Sequence, residues 1–122
     1  MNKNGKTLVL GASENPDRYS NKAIKQLRAH GFEVVAIGHK IGKVADVEIG
    51  IEPIAFSNID TVTLYLNPTN QKPYYDYIKA LKPRRIIFNP GTENEELERI
   101  LAQTGVNTME ACTLVLLSTG QY

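Results

Sequence analysis

At 122 residues and 13.6 kDa, the chain has the usual size of one compact domain with a single core, so one domain over 1–122 is expected. Its 42% apolar and 22% charged residues exclude a long disordered tail, and a net charge of +1 excludes a global attraction to nucleic acid or acidic membrane. One cysteine excludes an internal disulfide, and two histidines without a cysteine cluster make no zinc site.

The chain opens on MNKNGK, which lacks the apolar core of a secretory signal, and no run approaches the roughly 20 apolar residues that span a bilayer. The expected location is the cytoplasm. Lys6 to Leu10 is a short apolar run ended by Gly11, which suits a strand buried on both faces of a parallel sheet. From Tyr19 to His30, Ala23, Ile24 and Leu27 fall at helical spacing, with Gly31 placed for a left-handed C-cap. Phe32 to Ile37 reads as a second strand. Gly38 to Ile59 reads as loop, with room for one short strand around Val47 to Ile49.

Thr61 to Leu66 reads as a third strand, and Tyr74, Tyr77, Ile78 and Leu81 then share one helix face, so the tyrosines first of all pack on a sheet. Arg85 to Asn89 reads as a fourth strand. Thr92 with Glu95 makes a capping box for a helix burying Leu97, Ile100 and Leu101, closed by Gly105. Val106 to Met109 reads as a fifth strand, while Thr113 to Leu117 is an apolar segment of unassigned state. Strands alternating with helices imply a three-layer, Rossmann-like α/β sandwich around a mostly parallel five-stranded sheet.

In such sheets a ligand sits beyond the carboxyl ends of the strands. Those ends carry Gly11-Ala12-Ser13, Gly38-His39-Lys40, Asn67-Pro68, Asn89-Pro90-Gly91 and Glu110-Ala111-Cys112. Charge separates the helix starts. Arg18 to His30 holds four basic residues and no acid, whereas Glu93, Glu95, Glu96 and Glu98 crowd the later helix. Glutamates already satisfy the positive helix end, so a phosphate belongs at the first helix, near Arg18 and Ser20. The plainer alternative makes Ser20 only an N-cap and the lysines a solvated face.

An NAD site would place Asp or Glu at the end of the second strand; Lys40 there suits a phosphate on the ribose, as in NADP or in coenzyme A. The second and third glycines of Gly-x-Gly-x-x-Gly are missing before Gly31, which disfavours an ordinary NADP site. Cys112 and His39 both fall at strand ends, but a lone cysteine beside an apolar run is more often a small buried hydrophobe. Asp60, Asp76 and Glu110 have no acid–base spacing, and no P-loop, Gly-x-Ser-x-Gly or HExxH motif occurs.

The strand running into Gly11-Ala12-Ser13, then Pro16, Arg18 and Ser20 as GAS-x-x-P-x-R-x-S, and His30-Gly31-Phe32-Glu33-Val34, resembles the small stand-alone CoA-binding proteins. These are related to the CoA-binding domain of the succinyl-CoA synthetase alpha subunit. The resemblance implies a diphosphate held by Gly11, Ala12, Ser13, Arg18 and Ser20, with Pro16 shaping the loop. Gly38, His39 and Lys40 would lie at the ribose phosphate, and Asn67, Pro68 and Gly91 would border the adenine and pantetheine path. Gly38-His39 stands where the family usually has Asn-Pro. The expectation is a non-catalytic domain for coenzyme A or an acyl-CoA. Its rivals are an NADP-binding oxidoreductase fragment and an interaction module that has lost its ligand, and a protein partner or homo-oligomer is left open.

Overall fold

The computed structural model describes residues 5–122, so residues 1–4 of the polar opening lie outside the described residues. β1 (Lys6–Ala12) is the middle strand because its apolar residues leave no side for water. Leu8, Val9 and Leu10 are fully buried, with Leu8 and Leu10 in one core layer and Val9 in the other. β1 pairs in parallel with β2 (Glu33–Gly38) and β5 (Ile59–Leu64). β6 (Arg85–Phe88) and β7 (Asn107–Glu110) continue in parallel beyond β5. On the far side β4 (Val47–Gly50) runs parallel to β2, and β3 (Gly42–Val44) closes that edge antiparallel.

The sheet order is β3-β4-β2-β1-β5-β6-β7, so the five strands expected from the sequence become seven in a mixed, mostly parallel sheet. The addition is an edge hairpin in the stretch read as loop: β4 covers the short strand anticipated at Val47 to Ile49, and β3 was not anticipated. Its two-residue turn is Ala45-Asp46, with Ala45 at φ 54, and it lacks the Asn-Gly signal that marks such turns. Buried Val44, Val47 and Ile49 join the core layer under α1 (Tyr19–Ala29). Arg28 of α1 donates to both Asp46 carboxylate oxygens at 2.8 and 2.7 Å, which raises the guanidinium pKa and lowers that of the carboxyl.

Helices cover both faces. α1 and α5 (Thr113–Ser118) bury Ile24, Leu27 and Leu117 on one, while α3 (Tyr75–Leu81) and α4 (Glu95–Ala102) bury Ile78, Leu97 and Leu101 on the other. This is the Rossmann-like three-layer arrangement, and the unassigned Thr113 to Leu117 segment is helical. Ile100 is half-buried rather than core. Asn94, not Thr92, caps α4: its Oδ1 accepts from Leu97 N at 3.2 Å, while the Thr92 hydroxyl turns to Asn89 O at 2.8 Å.

The tyrosine-bearing run is broken into α2 (Pro68–Gln71), a 3₁₀ turn at Lys72–Tyr74, and α3. Pro73 brings no N–H to a continuous ladder, so one helix gives way to three short pieces. Tyr74, Tyr75 and Tyr77 still pack on the sheet.

Candidate functional site

β2 and β5 lie on opposite sides of β1, so the chain leaves the carboxyl end of the sheet in opposite directions there, and a crevice results. It is a cavity of about 1230 Å³ walled by the loops after β1, β2, β5 and β6. Gly11 fixes its floor: β1 bulges there at φ +99, and a Cβ would stand 2.9 Å from the Tyr65 carbonyl carbon. At Gly38 a Cβ would fall 2.3 Å from Ala12 O. Only glycine lets the ends of β1, β2 and β5 converge this closely.

The loop from Ser13 to Arg18 orders itself. Ser13 Oγ accepts from Asn15 N at 3.1 Å, Asn15 Oδ1 from Asp17 N at 3.0 Å, and Asn15 O from Arg18 N at 3.0 Å. From α1, Asn21 Nδ2 donates to Ser13 O at 3.0 Å and Lys22 Nζ to Pro16 O at 2.8 Å. Glu14 accepts from Lys43 N at 2.9 Å, which ties the loop to the edge hairpin and gives that carboxylate a partner.

Arg18, rather than Ser20, occupies the N-cap of α1, no side chain caps the helix, and its first turn holds no acid. Ser20, only 3% exposed, is the second residue of the helix, within its first turn, and lines the cavity. Among the described residues, the Arg18 and Lys40 side chains make no ion pair or hydrogen bond. Asn21 N and Lys22 N already reach Arg18 O, at 3.1 and 3.3 Å, so the N–H groups left open at the start of α1 are those of Tyr19 and Ser20. Two unpaired cations and an uncapped helix start therefore converge on one cavity, opposed by the exposed carboxylates of Glu14 and Asp17, which line it too.

The opposite wall is locked by a buried polar network. Asn89 Nδ2 donates to Thr63 Oγ1 at 2.7 Å and Leu64 O at 2.9 Å, and its Oδ1 accepts from Thr113 N at 2.9 Å. Fully buried Gln71 donates to Leu66 O and Thr92 O, both at 2.8 Å, and accepts from Asn94 Nδ2 at 2.9 Å. Each buried group has a partner, so the loops after β5 and β6 move as one wall. Between this wall and β1 stands Tyr65, whose phenol burial pushes up to about 12 against the pull of the Thr63 and Thr113 hydroxyls.

Of the residues singled out in the sequence, Gly11, Ala12, Ser13, Arg18, Ser20, Gly38, His39, Lys40, Asn67 and Gly91 line the cavity, while Pro16 and Pro68 lie outside its lining. Asn67 also caps α2, its Oδ1 accepting from Asn70 N at 2.9 Å. Tyr19, Tyr65 and Tyr74 line the cavity as well, and the sequence reading did not assign them there. Tyr19, beside Arg18, stands where helix-start reasoning could have looked. Cys112 lines a smaller adjoining cavity and His39 the main one.

The sequence profile of a family described as the CoA binding domain matches residues 5–118. A solved structure described only as that of an uncharacterized protein is 49% identical, with a TM-score of 0.94 over 97% of this chain and 98% of the other. A conserved hypothetical protein from Pyrococcus furiosus is 25% identical, with a TM-score of 0.79 over 91% and 97% of the two chains. Prb, the PH1109 protein redesigned for binding, shares the fold at 19% identity, with a TM-score of 0.84 over 95% and 82%. No curated protein matches the chain significantly.

Proposed function

The chain belongs to the CoA binding domain family, and on that premise we propose that residues 1–122 act as one non-catalytic domain for coenzyme A or an acyl-CoA. The observation that carries this reading is the start of α1, where unpaired Arg18 and an uncapped, acid-free first turn open into a cavity large enough for a nucleotide cofactor. The diphosphate would lie against the backbone of Gly11, Ala12 and Ser13, held by Arg18 and Ser20. The ribose phosphate would reach Lys40 past Gly38 and His39. Asn67 and Gly91 would border the path of the adenine and pantetheine, with Pro68 fixing the start of α2 behind Asn67. The lining suits the group: the cations Arg18 and Lys40, the open N–H donors at the start of α1, and the rings of Tyr19, Tyr65 and Tyr74 share one cavity. Coenzyme A, when bound, supplies a thiol able to carry an acyl group as a thioester.

Titration calorimetry with CoA, NADP and NAD tests the reading. CoA is expected to bind, more weakly as salt rises, with NAD the weakest of the three. Tight NADP binding with none for CoA overturns it in favour of an oxidoreductase fragment, and absence of any nucleotide binding favours an interaction module.

A further inference from the structure

Beside the main cavity lies a second, of about 230 Å³, which shares Tyr19, Tyr65 and Pro90 with it and is completed by Asn89, Cys112 and Leu114. No charged side chain lines it. The two most deeply set polar side chains in its wall already have partners: both Asn89 amide donors and its oxygen are bonded to Thr63, Leu64 and Thr113, and the Tyr65 hydroxyl faces Thr63 and Thr113, which leaves the Tyr19 hydroxyl and the weakly polar Cys112 thiol. A phosphate, sugar or carboxylate entering here would shed water and meet no cation and few donors, which is costly. An apolar group would gain by leaving water.

Position narrows the occupant. The main cavity runs from Lys40, after β2, past α1 to Pro90, after β6, and the second continues on the β6–β7 side to the start of α5. A ligand with its ribose phosphate at β2 and its diphosphate at α1 therefore sends its far end toward this opening. We propose that the second cavity holds the acyl group of a short-chain acyl-CoA, so that the protein prefers a short acyl thioester over free CoA. This rests on the CoA reading of the main cavity. At about 30 Å³ for a methylene-sized group, the volume admits up to roughly eight carbons and no long fatty chain.

Calorimetry on the intact protein with CoA and its acetyl, butyryl, hexanoyl and palmitoyl thioesters tests it. Affinity should rise about fourfold per methylene from acetyl to butyryl and cease to rise well short of palmitoyl. Leu114→Phe, which narrows the cavity, should abolish that gain while leaving free CoA binding as it was. Leu114→Ala should shift the optimum to longer chains, and it carries the test alone if the melting curve shows the Phe variant unfolded. CoA binding with a flat acyl series, or affinity climbing through palmitoyl, overturns the acyl pocket alone. Failure of CoA itself to bind overturns the CoA reading and the pocket with it.

Discussion

Gly11→Ala separates two costs that a glycine at the strand end conceals. At φ +99 any side chain is forced into the left-handed half of backbone space, which costs roughly 1–2 kcal/mol. The new Cβ would also lie 2.9 Å from Tyr65 C and 3.0 Å from Tyr65 O, which are backbone atoms. Tyr65 N is bonded to Leu10 O at 2.9 Å, so this backbone cannot retreat without loosening the β1–β5 ladder. Overpacking of that kind costs about 1–3 kcal/mol more, for a total of roughly 2–5 kcal/mol. Gly91→Ala is the internal control: φ is +92, yet nothing lies within 4 Å of its Cβ, so only the backbone cost applies. Urea unfolding of both variants should show Gly11→Ala the less stable by about 1–3 kcal/mol, equivalent to a further Tm drop of roughly 3–12 °C. Gly11→Ala should also lose more CoA affinity, because Leu66 and Asn67 must move with Tyr65. Equal stability losses would refute the claim that close approach, rather than backbone angle, demands this glycine.

Arg18→Ala should weaken CoA binding by about 1.5–3 kcal/mol in calorimetry, the range of a charge-assisted hydrogen bond, and unchanged affinity would remove Arg18 from the site. Asp17→Asn should tighten CoA a few-fold, most at low salt, because a carboxylate beside the proposed diphosphate is removed. Lys40→Ala should cost affinity for CoA but not for dephospho-CoA, and an equal loss for both would place Lys40 away from the ribose phosphate. Burial pushes the Asp60 carboxyl up, but Arg84, at 2.8 Å, and the Thr61 hydroxyl outweigh it and hold it below the ordinary 3.8. A depressed carboxyl stabilises the fold fully above about pH 4 and loses that contribution as pH falls further. Asp60→Asn should therefore lower the melting temperature at pH 7, by up to about 1 kcal/mol in stability, with the gap from the parent closing in acid.

Local signals made part of this fold legible. β1 showed itself as a buried run stopped by glycine, and α1 as an apolar face ended at Gly31, which takes φ +85 just past the helix. The edge hairpin was hidden because Ala45 adopts a left-handed angle that nothing in its residue type announces. Thr92 matched the capping-box spacing, yet Asn94 offered a competing cap and Thr92 was drawn into the Asn89 network, a choice made by contacts distant in sequence. Arg18, Ser20 and Lys40 could be picked out because strand ends and helix starts have calculable chemistry. Tyr65 could not, since both faces of its strand are covered and only tertiary packing decides which wall an aromatic ring joins.

The same accounting of hydrogen bonds separates the polar residues that face the cavity from those that brace its wall from behind. Asn89 follows the end of β6 and Gln71 ends the short helix after Asn67, positions from which an amide could in principle reach a ligand. Both amide donors of Asn89 and the donor and acceptor of Gln71 are engaged within the chain, at 2.7 to 2.9 Å. A ligand calling on either would have to break a buried bond to gain one, an exchange with little net benefit. The Arg18 and Lys40 side chains have no partner among the described residues, so a phosphate at each would gain a charge-assisted bond without breaking one within the chain, against the repulsion of the nearby carboxylates. Affinity in this crevice should therefore follow the cations and the α1 start, while the amides set the shape against which the rest of the ligand is measured.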